Sequence, residues 1–279
     1  SHRPRRPPAP VAPIPDDWRA PLPPPSPLHL AGLGRSLLAW RDVAFVGRED
    51  ARETLWSTAR ALRRGKASRL TVTGPPGVGG SALGRWWVRR LRACSGTLAV
   101  VADSTLDDLL DQLLQPLGQP RDRAGRRRGL DRLRAGFRAA VDAIAALDGS
   151  SSLDLRVGAA LEVLGALARK RPVAVYVDSD DVELQSLAHR PLPAGVALVV
   201  RAGSTPIDDG PTIALRPLPT AALSALLDQL LPLTRPLHAA LVEASGGHPA
   251  VLRTQLLQAL PSLAHTPEGF DGSLSLADD

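Results

Sequence analysis

At 279 residues and 44% hydrophobic content, the chain can bury a full core and is long enough for more than one unit. Its charge of +6 comes from 34 basic residues of which only Lys66 and Lys170 are lysines, the bias of a GC-rich genome, so basicity alone does not indicate nucleic acid. One Tyr and three Phe supply no stacking platform for single strands, no apolar run approaches the ~20 residues of a membrane span, and lone Cys94 excludes an intrachain disulfide.

A reduced, cytoplasmic setting follows as the expectation. No signal-peptide pattern is present, and the sequence contains no methionine. It therefore reads as a piece of a longer protein. Residues 1–28 carry prolines at 4, 7, 8, 10, 13, 15, 21, 23, 24, 25 and 27, a density that forbids helix and sheet and favours extended geometry. Residues 1–40 are read as a stiff linker from an upstream domain, with an SH3-type ligand as the other reading and Trp18 as a candidate docking residue.

An α/β core is expected over 41–218. Val43–Glu49 is a short apolar segment ending in a turn. From Asp50 a helix begins, striped by Leu55, Trp56, Ala59 and Leu62, and Gly65 is a plausible stop. Leu70–Thr73 reads as a strand. It runs into Gly74-Pro75-Pro76-Gly77-Val78-Gly79-Gly80-Ser81, which meets the phosphate-loop pattern G-x-x-x-x-G-K-[ST] at every fixed position but the lysine. Gly74, Gly77 and Gly79 allow backbone amides to turn inward at the positive end of the following helix, and none of that needs a lysine. Ser81 keeps the hydroxyl that would ligate Mg²⁺. The cation due at Gly80 is missing, and a charge-assisted hydrogen bond is worth roughly 1.5–3 kcal/mol. Binding should suffer by one to two orders of magnitude, and hydrolysis by more, because charge spreads over the γ-oxygens in the transition state. The competing reading is an ordinary strand–helix turn with no ligand.

Helix Ser81–Cys94 carries Trp86 and Trp87, which read as core rather than base-stacking residues. Leu98–Val101 is a buried-type strand and Asp107–Leu114 a helix. The run Arg121–Arg134 reads as a solvated connector and helix face. Two helical patterns follow, Leu130–Leu147 and Leu153–Ala168. The strand Pro172–Val177 ends in Asp178-Ser179-Asp180-Asp181, the pattern in which a strand-end acid holds Mg²⁺ through water. Ser179 stands where the acid that polarises the attacking water is expected; Asp180 or Asp181 is left to reach in by a shifted turn. Strand Val196–Arg201 places Arg201 at the same sheet edge, either sensing a γ-phosphate or simply facing water. Thr212–Leu215 is a fifth strand. Residues 219–279 are read as a helical lid and the start of a truncated following domain, with helices Thr220–Leu231, Leu237–Ala244 and Ala250–Leu260 and a hairpin tip at Phe270–Leu274.

On Phe45-Val46-Gly47-Arg48-Glu49, the phosphate loop, the Asp178 strand and Ala244-Ser245-Gly246-Gly247-His248-Pro249, the chain resembles the STAND branch of AAA-type ATPases over roughly 40–275. It is similar in particular to the modules that follow kinase domains in large bacterial serine/threonine kinases and related regulators. The resemblance implies ATP or ADP with Mg²⁺, held by Val46, Gly47 and Arg48 against the adenine, by Gly74, Gly77, Val78, Gly79, Gly80 and Ser81 at the phosphates, and by Asp178, Arg201 and Pro249. Ser81 and Asp178 are the implied metal residues. Gly80, Ser179 and His248 depart from the family pattern, and the first two fall on phosphate chemistry. Four functions stay open: a nucleotide-responsive module of a larger signalling protein with impaired or absent hydrolysis, a nucleotide-free scaffold for a protein partner, nucleic-acid binding through the Arg121–Arg134 run with affinity falling steeply with salt, and an active ATPase in which Arg85 or Arg48 replaces the lysine.

Overall fold

The computed structural model describes residues 13–21, 45–94, 96–114, 151–203 and 210–272. The expected helix 130–147, the run Arg121–Arg134 and most of the Pro-rich stretch lie outside the described residues.

The order along the chain is α1 (Glu49–Arg63), β1 (Ser68–Thr73), α2 (Gly80–Ala93), β2 (Leu98–Ala102), α3 (Leu106–Leu114), α4 (Leu153–Ala168), β3 (Val173–Val177), α5 (Val182–Ser186), β4 (Val196–Arg201) and β5 (Thr212–Ala214). The segment expected to be a lid, called the lid below, follows: α6 (Thr220–Leu230), α7 (Arg235–Ala244), α8 (Pro249–Ala259) and a hairpin of β6 (Ala264–Thr266) and β7 (Gly269–Asp271). The first five strands form one parallel sheet in the order β2-β3-β4-β1-β5. Parallel strands need crossovers, which cover both faces and demand apolar residues all along the strand. The Val/Ala/Leu runs of β2, β3 and β4 satisfy that demand.

Alternation sorts these residues into two cores. Val173, Val175 and Val177 pack with Val196, Leu198 and Val200 toward α3, α4 and α5. Ala174, Tyr176, Ala197 and Val199 face the other way, with Leu70 and Val72, toward α1 and α2. On this second face residues 13–21 lie as a strap. Ile14 and Trp18 are buried, the Trp56 indole N–H donates to the Pro15 carbonyl at 3.1 Å, and Arg63 holds both the Ile14 carbonyl and the Asp16 carboxylate. The Arg52 guanidinium sits 4.0 Å from the centre of the Trp18 ring. Trp18 thus docks as its apolar bulk suggests, and Trp86 and Trp87 do pack rather than present a platform. Trp87 is fully buried, and half-buried Trp86 meets Trp18, Phe45 and Trp56 edge to face or tilted.

The lid has its own core of Leu218, Leu223, Leu227, Leu237, Leu241, Val242, Leu252 and Leu256. Its hairpin corrects one expectation. The turn falls at Pro267-Glu268, with Phe270 on the second strand opposite His265. Proline has no amide N–H for a ladder and its fixed φ suits a turn, so Pro267 outweighs the Asp271-Gly272 pair.

Candidate functional site

Three loops meet at the carboxyl edge of the sheet because of the strand order. The phosphate loop follows β1, Asp178 follows β3, and β4 runs between these strands. The register sets Arg201 opposite Val72, one residue beyond Val200, the partner of Val177. Asp178 and Arg201 therefore end level with each other, beside the loop.

The loop occupies the strand–helix junction as expected. Gly79 caps α2 with φ 106°, a conformation that disfavours a side chain, and the amide end of α2 faces the opening. A cavity of about 310 Å³ lies here, walled by Gly74–Ala82, Leu215, Pro249 and Ala250, with Arg85, Arg201 and Arg253 among the lining residues. No carboxylate stands among the described lining residues. The lid closes one side: the Ala250 amide donates to the Gly77 carbonyl at 3.2 Å. A Cβ on Gly77, itself at φ 78°, would lie 3.1 Å from that of Ala250. Pro249, at the first position of α8, lies on the wall.

Beneath the loop, Ser81 and Asp178 meet across 97 residues: the Ser81 hydroxyl donates to Asp178 Oδ1 at 2.9 Å. Arg201 Nε donates to the same oxygen at 2.5 Å, and Arg85 stands 3.8 Å from Oδ2. The carboxylate is only 5% exposed, so its charge is compensated almost wholly by these groups. The Tyr176 hydroxyl donates to the Gly80 carbonyl at 2.9 Å; burial first, and then the nearby Asp178 charge, push this phenol up, keeping it a donor. Its ring fits only because residue 84 is glycine, since a Cβ there would lie 2.1 Å from the ring. Gly84 escaped sequence reasoning, although a glycine inside a helix facing the strand's one bulky residue was a usable signal.

The hoped-for second acid does not reach in. Asp181 caps α5 by accepting from the Leu184 amide at 3.0 Å, and Ser179 donates to the Ser104 carbonyl at 2.8 Å. A short helix starting at Val182 needs its cap, and that use turns Asp181 away from the cavity. Asp180 is exposed and does not line the cavity.

Val46, Gly47 and Arg48 lie beside the cavity wall rather than on it. Arg48 holds a left-handed backbone, φ 60°, ahead of α1, and its guanidinium donates to the carbonyls of Val78 at 2.6 Å and Arg216 at 2.9 Å. It thus ties the phosphate loop to the segment leading into the lid, while burial lowers its pKa. Gly47 packs against Ala222 and Leu218 at the lid's base. Engaged with two carbonyls, Arg48 does not take the absent lysine's place. Val78 is buried, so only its backbone can serve a ligand.

The phosphates of a nucleotide fit this site: a Gly-rich loop, a helix amide terminus and three guanidinium groups surround an open volume. Mg²⁺ fits poorly. Arg201 already donates to the carboxylate that would hold it through water.

No protein-family model matches the chain, and no curated protein matches it. Among solved structures it is similar to Cdc6p from Pyrobaculum aerophilum, with TM-score 0.54 and 13% identity over 77% of this chain and 63% of that one. The chain thus spans less than two thirds of that structure's length. Drosophila ORC bound to DNA is also similar, with TM-score 0.46 and 12% identity over 75% and 54%. The sheet order, the loop between β1 and α2 and the likeness to Cdc6p show an α/β fold of the P-loop NTPase kind, a five-stranded parallel sheet flanked by helices.

Proposed function

We propose that the chain is a regulatory nucleotide-binding module, taking ATP or ADP, of a larger cytoplasmic signalling protein of the bacterial STAND type, with hydrolysis impaired or absent. The observation that carries this reading is the cavity itself, a cationic anion cradle walled on one side by the lid helix α8. Loop amides and the α2 terminus would hold the phosphates, with Arg85 and Arg253 adding charge from opposite walls. With the Ala250–Gly77 hydrogen bond, filling the cradle bears directly on lid position. The absence of a second acid among the described lining residues supports weak turnover, since no carboxylate is placed to orient an attacking water.

A nucleotide-free scaffold is the second reading. It is favoured by the Arg201–Asp178 pair, which balances the site's carboxylate without any ligand.

Calorimetric titration of ATP and ADP, with phosphate release followed in parallel, separates the readings. The module predicts saturable binding and little phosphate release. No heat at millimolar nucleotide, with the fold intact, would leave only the scaffold; brisk turnover would restore the active ATPase.

A further inference from the structure

We infer that Arg201 stands in for the missing loop lysine and for the divalent cation together, so that nucleotide binds at this site without Mg²⁺. The inference rests on the nucleotide-binding reading and deepens it.

Three observations converge on one side chain. First, Arg201 fills the space that a residue-80 side chain would take. A Cβ at Gly80 would lie 3.1 Å from Arg201 Cδ and 3.7 Å from its Cγ. An arginine from the neighbouring strand therefore stands beside the point where a loop lysine would start. Second, Arg201 Nε donates to Asp178 Oδ1 at 2.5 Å, on a carboxylate only 5% exposed that also accepts from Ser81. A divalent ion held here through water has to compete with Arg201, one-third exposed, for this carboxylate, and that competition weakens its hold. Third, the same guanidinium lines the cavity beside the loop amides. Arginine presents five N–H donors in a planar array suited to phosphate oxygens, so one side chain can hold Asp178 and face an anion. Against the single Asp178 charge stand Arg201 and Arg85 beside it and Arg253 on the cavity wall, so side chains alone leave the site net positive.

This arrangement also bears on simple repair of the loop. Gly80→Lys puts its side chain onto Arg201, so the single substitution sets two cations in competition for one place.

The test is calorimetric titration of the whole chain with ATP, in EDTA and again with millimolar Mg²⁺. The expected result is saturable binding in EDTA that Mg²⁺ tightens by less than about tenfold, equivalent to about 1.4 kcal/mol. Arg201→Ala should weaken binding in EDTA by about 10- to 100-fold, and Mg²⁺ should then recover part of it, because Asp178 is released to ligate the ion. Tightening of the unmodified chain by Mg²⁺ beyond tenfold overturns the inference and leaves the nucleotide module standing. No ATP binding in either buffer removes both. The comparison of buffers needs no variant, so it holds even if Arg201→Ala does not fold.

Discussion

Arginines gather at two places in this molecule and do different work in each. On the face covered by the strap, Arg52, Arg60, Arg63 and Arg90 meet defined partners: the Trp18 ring, Glu53 with the Asp16 carbonyl, Ile14 with Asp16, and the Ala20 carbonyl. At the carboxyl edge, Arg85, Arg201 and Arg253 line an open cavity, and Arg85 and Arg201 share one carboxylate, Asp178. Guanidinium groups matched to backbone carbonyls and a ring hold one chain segment against another. An excess of them around a Gly-rich loop and a helix amide end presents unsatisfied positive potential, which calls for an anion. Composition cannot separate the two groups; only their surroundings can.

Substitutions that act on one region and spare the other sharpen this contrast. The largest effect is expected at the strap. Trp18→Ala removes a buried indole and should cost about 3–5 kcal/mol of stability, read by thermal or denaturant unfolding. ATP affinity of the folded fraction should stay unchanged; a large fall would break the separation between the regions. Gly84→Ala is next, at about 1–3 kcal/mol, because its Cβ would overlap the Tyr176 ring. Since Tyr176 holds the Gly80 carbonyl, this variant should lose nucleotide affinity as well as stability, and an effect on stability alone would show that the phenol does not support the loop. The smallest is Arg253→Ala. Its side chain is exposed on α8, so unfolding should shift by less than about 0.5 kcal/mol. ATP affinity, by contrast, should drop about three- to tenfold in low salt, with the difference shrinking as salt is added. An unchanged affinity would remove the lid from the phosphate side.

Much of the frame was legible because it rests on local signals. Leu153–Ala168 and Val196–Arg201 coincide residue for residue with α4 and β4, since apolar periodicity and turn residues bracket both. The pairing of Ser81 with Asp178 was legible too, as Ser81 opens the helix after the phosphate loop and Asp178 follows β3, each marked by its own motif. Other features were not. Arg201 had two open readings, water or γ-phosphate, and the structure gives a third, a side chain laid over Gly80 onto Asp178. The fit of Gly84 around Tyr176, the Arg48 bridge and the hairpin turn at Pro267 escaped for a common reason. Each depends on which residues, far apart in the chain, become neighbours.

By itself the sequence determined the alternating strands and helices, the glycine cradle and the loss of its lysine, because backbone preferences and apolar patterning act over a few residues. Only the tertiary structure decided what replaced that lysine. With β4 placed between β1 and β3, the end of a third strand lies beside both motifs, and its arginine takes the vacated space. Strand order is set by how both faces of the sheet are covered, and that is a property of the whole packed chain.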